Sequence, residues 1–185
     1  MIIIKDYGVE LHQLTEDKIE LVRRWRTDPK ISQYMEYRGE ITPEMQATWF
    51  NRINNRNNYF FIIKYDGRDI GLINIRDVDC NRTHGESGIF IWDDDVYHQG
   101  IATKAGLCMY DFAFNDLNLD YLVAHIFNTN TASIKYHQKL GFTLDSNEEI
   151  DPKFPKNQLY RLESKTYNAL TEDNKIKIAK LNNNK

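Results

Sequence analysis

Tyr97-His98-Gln99-Gly100-Ile101-Ala102-Thr103-Lys104 lies between two patterned stretches. Before it runs Glu86-Ser87-Gly88-Ile89-Phe90-Ile91, mostly apolar and short like a strand; after it, Ile101, Ala105, Cys108, Phe112 and Ala113 repeat with helical spacing. The pattern predicts a strand, a turn and a helix opening near Gly100. The first amides of a helix have no intrahelical acceptor, and the helix dipole favours negative charge there. Gly100 and Ala102 are small enough to let a ligand reach those amides, so the turn is a candidate cradle for a diphosphate. It is neither of the common phosphate loops, because the chain has no Gly-x-x-x-x-Gly-Lys-Ser/Thr and no Gly-x-Gly-x-x-Gly.

Downstream comes a second strand-like run, Tyr121 to Phe127. It is followed by Asn130-Thr131-Ala132-Ser133-Ile134-Lys135-Tyr136-His137-Gln138-Lys139-Leu140-Gly141-Phe142. The two motifs together resemble the coenzyme A site of the GCN5-related N-acetyltransferases, whose pattern is Gln/Arg-x-x-Gly-x-Gly/Ala followed by Asn-x-x-Ser/Ala-x-x-x-Tyr-x-x-x-Gly-Phe. The strand from Glu86, the segment Arg23 to Asp28, Ile41 to Glu44, and Trp49-Phe50 resemble one branch of that family. The branch holds the ribosomal-protein N-terminal, spermidine and amino-sugar-nucleotide acetyltransferases.

The resemblance implies an α/β fold: a mixed, mostly antiparallel sheet of about six to seven strands with about four helices, splayed where the strand after Glu86 meets the one from Tyr121. It implies acetyl-CoA as co-substrate and no metal. Coenzyme would meet Phe90, Ile91 and Trp92 at the strand end, Gln99, Gly100, Ile101, Ala102 and Thr103 in the cradle, and Asn130 and Ser133 beyond. Tyr97 stands where the family usually has Gln or Arg, which leaves the amides as the phosphate ligands. His137 occupies the slot of the family's usual Tyr, the residue that protonates the departing thiolate. A His also occurs there in relatives resembling phosphinothricin acetyltransferases, and an imidazolium is able to do the same work. Tyr136, one position or about 100° away, is turned to packing or to lining the pocket.

Acetyl transfer to an ammonium requires a proton acceptor, and Glu86 is the candidate on the strand beside the acetyl group. Asp93, with Asp94 and Asp95, is a second acidic source that is able to draw in an ammonium, although three acids in a loop also suit a solvated face. Trp25 and Arg26, together with Tyr34 and Met35 in the loop from Lys30 to Glu40, are candidates for the acceptor side. Trp25 and Trp49 also fit apolar helix stripes. The other histidines, 12, 84, 98 and 125, show no metal-type spacing and receive no role.

The rest of the chain reads consistently with this. At 185 residues and 41% hydrophobic content, it is able to bury one core without disulfides. A net charge of −3 with mixed signs gives no basic face for nucleic acid. Cys80 and Cys108 have neither metal nor redox spacing. Met1 to Ile4 is too short for a signal peptide or membrane span and reads as an edge strand, so a cytoplasmic protein is expected.

Val9 to Leu14 alternates like a strand, and Thr15 opens a helix that Asp28-Pro29 ends. Thr42-Pro43 opens another with a stripe of Met45, Trp49, Phe50 and Ile53. Tyr59 to Tyr65 and Asp69 to Val78 form a hairpin about Asp66-Gly67. Asp145 to Asn157 reads as loop and Gln158 to Tyr167 as strand. Residues 1–170 are expected to be a single domain, and 171–185 a polar helix or frayed tail anchored by Ile176, Ile178 and Leu181.

The functional expectation is an N-acetyltransferase acting on a small amine, first an amino sugar attached to a nucleotide, second a protein N-terminus or polyamine. It would work as a monomer or homodimer, without nucleic acid or membrane. The alternative of another class is a non-catalytic acetyl-CoA-binding module.

Overall fold

The computed structural model describes all residues except 98, 147–156, 171 and 181–185. The elements are β1 (Ile3–Asp6), β2 (Val9–Gln13), α1 (Ile19–Thr27), α2 (Pro29–Ser32), α3 (Pro43–Ile53), β3 (Tyr59–Tyr65), β4 (Arg68–Arg76), β5 (His84–Ile91), α4 (Ile101–Asp111), β6 (Tyr121–Phe127), α5 (Thr131–Lys139), β7 (Thr143–Leu144), β8 (Asn157–Glu163), α6 (Ser164–Asn168) and α7 (Glu172–Lys180). The strands form one sheet in the order β1-β2-β3-β4-β5-β6-β8-β7. Every neighbouring pair is antiparallel except β5 with β6. The sheet is thus of the expected kind, extended by the two-residue β7; single-turn segments such as α2 add to the helices.

Local chemistry sets the turns. Between β3 and β4, Asp66 and Gly67 both have positive φ (48° and 73°), the hairpin turn that Asp-Gly favours. Thr42 caps α3 by accepting from the Met45 amide at 3.3 Å. Thr15 does not cap through its side chain; its hydroxyl donates to Asp17 at 2.6 Å, and a 3₁₀ turn, Glu16–Lys18, leads into α1.

Two apolar layers cover the two faces of the sheet. On one face α4 and α5 lie against Leu11, Phe61, Ile63, Ile73, Leu122 and Leu162, among others. On the opposite face α1 and α3 pack Val22, Trp25 and Phe50 on Phe60, Ile62 and Leu72. The stripe expected for α3 is corrected at one position: Met45 is 42% exposed, and Gln46 is buried instead. Its amide donates to the Ile19 carbonyl at 3.1 Å and its oxygen accepts from Arg26 at 3.3 Å, so burial of the polar group is compensated.

The expected strand from Gln158 to Tyr167 is shorter than its alternation suggests. Ser164 donates its amide to the Asp120 carbonyl at 2.8 Å and the chain turns into α6. Tyr167 is then fully buried, donating to Asp111 at 3.0 Å or the Leu107 carbonyl at 3.1 Å. Lys175 of α7 docks on the same carboxylate and over the Tyr167 ring. Among the described residues, a buried lysine thus helps to hold the tail helix. Of its expected anchors, Ile178 is half-buried, Ile176 is 37% exposed, and Leu181 lies outside the described residues, as does most of the Asp145 to Asn157 loop. Among the described residues no helix is long and apolar enough to cross a membrane.

Candidate active site

The site is a fork in the sheet. β5 and β6 are paired only through His84↔Tyr121, Gly85↔Leu122 and Glu86↔Val123, so the two strands part beyond Glu86. On its other edge β5 stays paired with β4 up to Ile91, and the Trp92 amide donates to the Ile70 carbonyl at 2.8 Å. Backbone groups alternate along a strand, so the amides and carbonyls of Ile89 and Ile91 are turned to the fork. An extended amide-bearing arm or a thioester carbonyl fits such an edge.

At the mouth of the fork, α4 begins at Gly100 with φ +70°, the left-handed conformation that favours glycine. Among the described residues no side chain caps the helix, and the first backbone bond runs from the Lys104 amide to the Gly100 carbonyl at 3.1 Å. The amides of Ile101, Ala102 and Thr103 are consequently left as donors at the positive end of the dipole. Thr103 is buried, so only its amide is offered; Gln99 is exposed, with its side chain donating to the Asp95 carbonyl at 3.1 Å. These donors fit a diphosphate.

Asn130 lies across the fork, where its side chain accepts from the Ser133 amide at 3.1 Å and caps α5. The other end of α5 explains the Leu-Gly-Phe sequence. Gly141 has φ +96°, its amide donates to Gln138 at 3.1 Å, and the Phe142 amide donates to His137 at 3.0 Å, which is a Schellman cap. Such caps bring the side chains at these two ends together, and the His137 and Phe142 rings meet edge-on at 5.0 Å.

His137 is therefore 3% exposed. Its Nδ1 lies 2.8 Å from the Ser133 carbonyl, which can only accept, so Nδ1 carries the proton. Among the described residues Nε2 is buried without a partner, and burial pulls the imidazole from 6.5 down to about 4. The imidazolium donor suggested by its motif position is not the form this geometry supports. Tyr136 packs inward: its hydroxyl is 3.4 Å from that of Tyr110, which is 3.1 Å from Ser87, and it crowds Gly106 of α4.

On the α1 face, Trp25, Phe90 and Trp92 form one aromatic cluster. Trp25 stacks on Trp92 at 6.1 Å and meets Phe90 edge-on at 6.2 Å. Trp25 is 2% exposed, so it supports the strand end and offers an acceptor no surface. Asp93 is already engaged, accepting from Arg68 at 2.7 Å and from the Asp95 amide at 3.0 Å. Asp94 pairs with Lys30 at 2.8 Å. The loop carrying exposed Tyr34 and half-buried Met35 reaches over the fork, with Arg38 above the Phe127 ring at 5.3 Å and Glu36 accepting from Asn157 at 3.5 Å.

Glu86 stands at the vertex on this same face. Its Oε1 lies 2.7 Å from Arg76 Nη2 and 3.4 Å from His125 Nδ1. Burial pushes its carboxyl up, but His125 and the Arg76 guanidinium outweigh burial and hold it below the usual range. Glu86 borders one groove, and its partner Arg76 borders a second. One, of about 210 Å³, is lined by Glu86, His125, His84, Tyr121, Asp145 and Arg161 among others. The second, of about 550 Å³, is lined by Trp49, Arg52, Asn57, Phe60 and Arg76 among others. Arg26 stacks over Trp49 at 4.9 Å; burial lowers its guanidinium, and so do Arg52 and Arg76, so the three cations share one region. Arg52, Arg76 and His125 carry no local motif, and only the sheet register brings the last two to Glu86.

A family model described as "Acetyltransferase (GNAT) domain" matches residues 9–143. The chain belongs to this family. As a GNAT protein it is 26% identical over 157 residues to the spermidine N(1)-acetyltransferase of Escherichia coli K12, covering 84% of this chain and 82% of that one. It is also 26% identical over 144 residues to acetyltransferase PseH of Campylobacter jejuni, covering 78% and 86%. Among solved structures, the GNAT fold here is similar to Vibrio cholerae spermidine N-acetyltransferase in complex with CoA and spermine, with a TM-score of 0.75 at 16% identity over 88% of this chain and 99% of that one. Aminoglycoside acetyltransferase AAC(6')-Ib in complex with coenzyme A gives 0.74 at 14% identity over 87% and 98%. The GNAT chain is thus an acetyl-CoA-dependent N-acetyltransferase by family.

Proposed function

We propose that the acceptor is a primary amine on a small polar molecule that also carries an anionic group, with an amino sugar attached to a nucleotide as first choice. The observation that carries this is the second groove, which Arg52 and Arg76 line together with Trp49, the ring that already carries Arg26. Guanidinium pairs recognise phosphate in two-pronged fashion, and an aromatic ring adds a flat contact. In this reading the fork holds acetyl-CoA with its diphosphate on the Gly100–Thr103 amides and its arm along Ile89 to Ile91, near Asn130 and Ser133. Glu86 receives the ammonium, the Ile91 amide polarises the thioester carbonyl, and the amine attacks directly. With His137 neutral and sealed, the leaving thiolate takes its proton from the amine nitrogen of the collapsing adduct.

A polyamine is the second reading, favoured by the acids Asp77, Glu86 and Asp145 in the first groove and by the names of two relatives. Arg52→Ala separates the readings. For a nucleotide-linked amino sugar it should raise KM about ten-fold or more, the loss of one charged contact, with KM for acetyl-CoA unchanged. Faster turnover of spermidine than of the sugar by wild type, with no effect of Arg52→Ala on the sugar, would reject the anionic acceptor.

A further inference from the structure

Two protons must leave the acceptor, because an ammonium has three N–H bonds beyond carbon and the product amide keeps one. The thiolate takes one; the other needs a base with a path to water. Glu86 is a poor final base, since Arg76 at 2.7 Å occupies its Oε1 and a carboxylate normally titrates near 4, well below neutral pH. His125 is placed better. It lies on β6 two residues past Val123, the partner of Glu86 at the vertex, and so faces the same side where the strands have parted. Its Nδ1 is 3.4 Å from Glu86 Oε1, its side chain is 39% exposed against 18% for Glu86, and it lines the open groove.

From this geometry we propose that Glu86 and His125 act as a dyad in which the imidazole takes the acceptor's first proton and the carboxylate orients and supports it. In this dyad Nδ1, the ring nitrogen 3.4 Å from the carboxylate, keeps its proton, and Nε2 is the basic nitrogen. The ammonium N–H bond breaks to Nε2, the neutral amine forms the C–N bond, the C–S bond breaks with its electron pair leaving on sulfur, and the remaining excess proton passes from nitrogen to sulfur. The imidazolium then returns its proton to water through the groove. No further reactant is needed. The dyad rests on the acetyl-transfer reading above but not on the acceptor's identity.

Among the described residues, the groups facing His125 set the sign. Glu86, Asp77 and Asp145 favour the imidazolium; Arg76 and Arg161 oppose it, with His84 and Tyr121 beside them and Glu36 acting on Arg76 from the loop above. Turnover should be lost as pH falls through the imidazole range, and Glu86→Gln should move that limb to lower pH, because the imidazolium loses its carboxylate.

The test measures thiol release from acetyl-CoA with the best amine from spermidine, a UDP-linked amino sugar and an N-terminal hexapeptide, as kcat against pH, together with the ring-proton titration of His125 by NMR. His125→Gln should lower kcat roughly 10²- to 10⁴-fold and remove the acid limb, with acetyl-CoA affinity by calorimetry unchanged. Glu86→Gln should lower the His125 titration midpoint. Wild-type kcat and limb in His125→Gln, or an unmoved titration in Glu86→Gln, would overturn the dyad. Absence of thiol release from wild type with every amine would instead overturn the transfer reading, and the titration would still judge the pair.

Discussion

Gly106→Ala sets two effects of opposite sign against each other. In an ordinary helix interior, replacing Gly with Ala stabilises by about 1 kcal/mol. Gly106 sits mid-way along α4, yet a Cβ there would run into Tyr136 Oη and stand 2.7 Å from Leu140 Cδ1 and 3.2 Å from the Tyr136 ring. Both are side chains of the α5 region that the Schellman cap holds in place, and the Tyr136 hydroxyl belongs to the Tyr110 and Ser87 chain. Overpacking of this kind costs about 1–3 kcal/mol, so the net effect should be destabilising. Set against that gain, the net loss is up to about 2 kcal/mol, which at this chain length lowers Tm by up to about 8 °C, measured by calorimetry at fixed pH. Gly106→Ala combined with Tyr136→Phe should recover part of the loss, because removing Oη relieves the shortest contact and the two sites are coupled. A rise in Tm for Gly106→Ala would refute the described packing of α4 on α5.

Gly100→Glu places a charged side chain at a φ of +70° against the cradle and should abolish acetyl-CoA binding in a protein that still folds, as read by calorimetry and circular dichroism. His137→Phe should leave kcat within a few-fold of wild type at pH 7.5, since the neutral buried ring acts by packing on Phe142; a hundred-fold loss would restore it as an acid. The same residue ties stability to pH. The folded state holds it at about 4 against 6.5 unfolded, so the unfolded chain binds more protons between these values. Its stabilising effect is complete above about 6.5 and lost as pH falls toward 4, a difference of about 3 kcal/mol. His137→Phe should flatten that part of the urea-denaturation profile; an unchanged slope would contradict the assignment.

The fork was legible from the chain because its parts are local patterns. Glu86 to Ile91, the Gly100 turn and Asn130 to Phe142 each carry a period or a cap that short-range chemistry dictates, and Gly141 with its φ of +96° is the clearest case. The hairpin at Asp66-Gly67 was readable for the same reason. His137 was legible as a position but not as a state, since its protonation depends on burial against Phe142 and on the Ser133 carbonyl. Trp25 and Met35 looked alike as aromatic or apolar residues near an acceptor; packing alone separates the buried first from the half-buried second. His125 and Arg76 were invisible, because a lone His on one strand and an Arg on another acquire meaning only when register sets them beside Glu86. Gln46 and Tyr167 likewise needed tertiary partners to explain their burial.

Central to the account is transfer of acetyl from acetyl-CoA to an amine at the fork, and the direct measurement is the balance between thiol released and acetylated amine formed, followed by mass spectrometry in one reaction. The account predicts one acetyl-amine per thiol, dependent on an amine of the panel and absent in Gly100→Glu. Tight acetyl-CoA binding with no amine raising thiol release above hydrolysis would contradict it and leave a binding module in place of an enzyme.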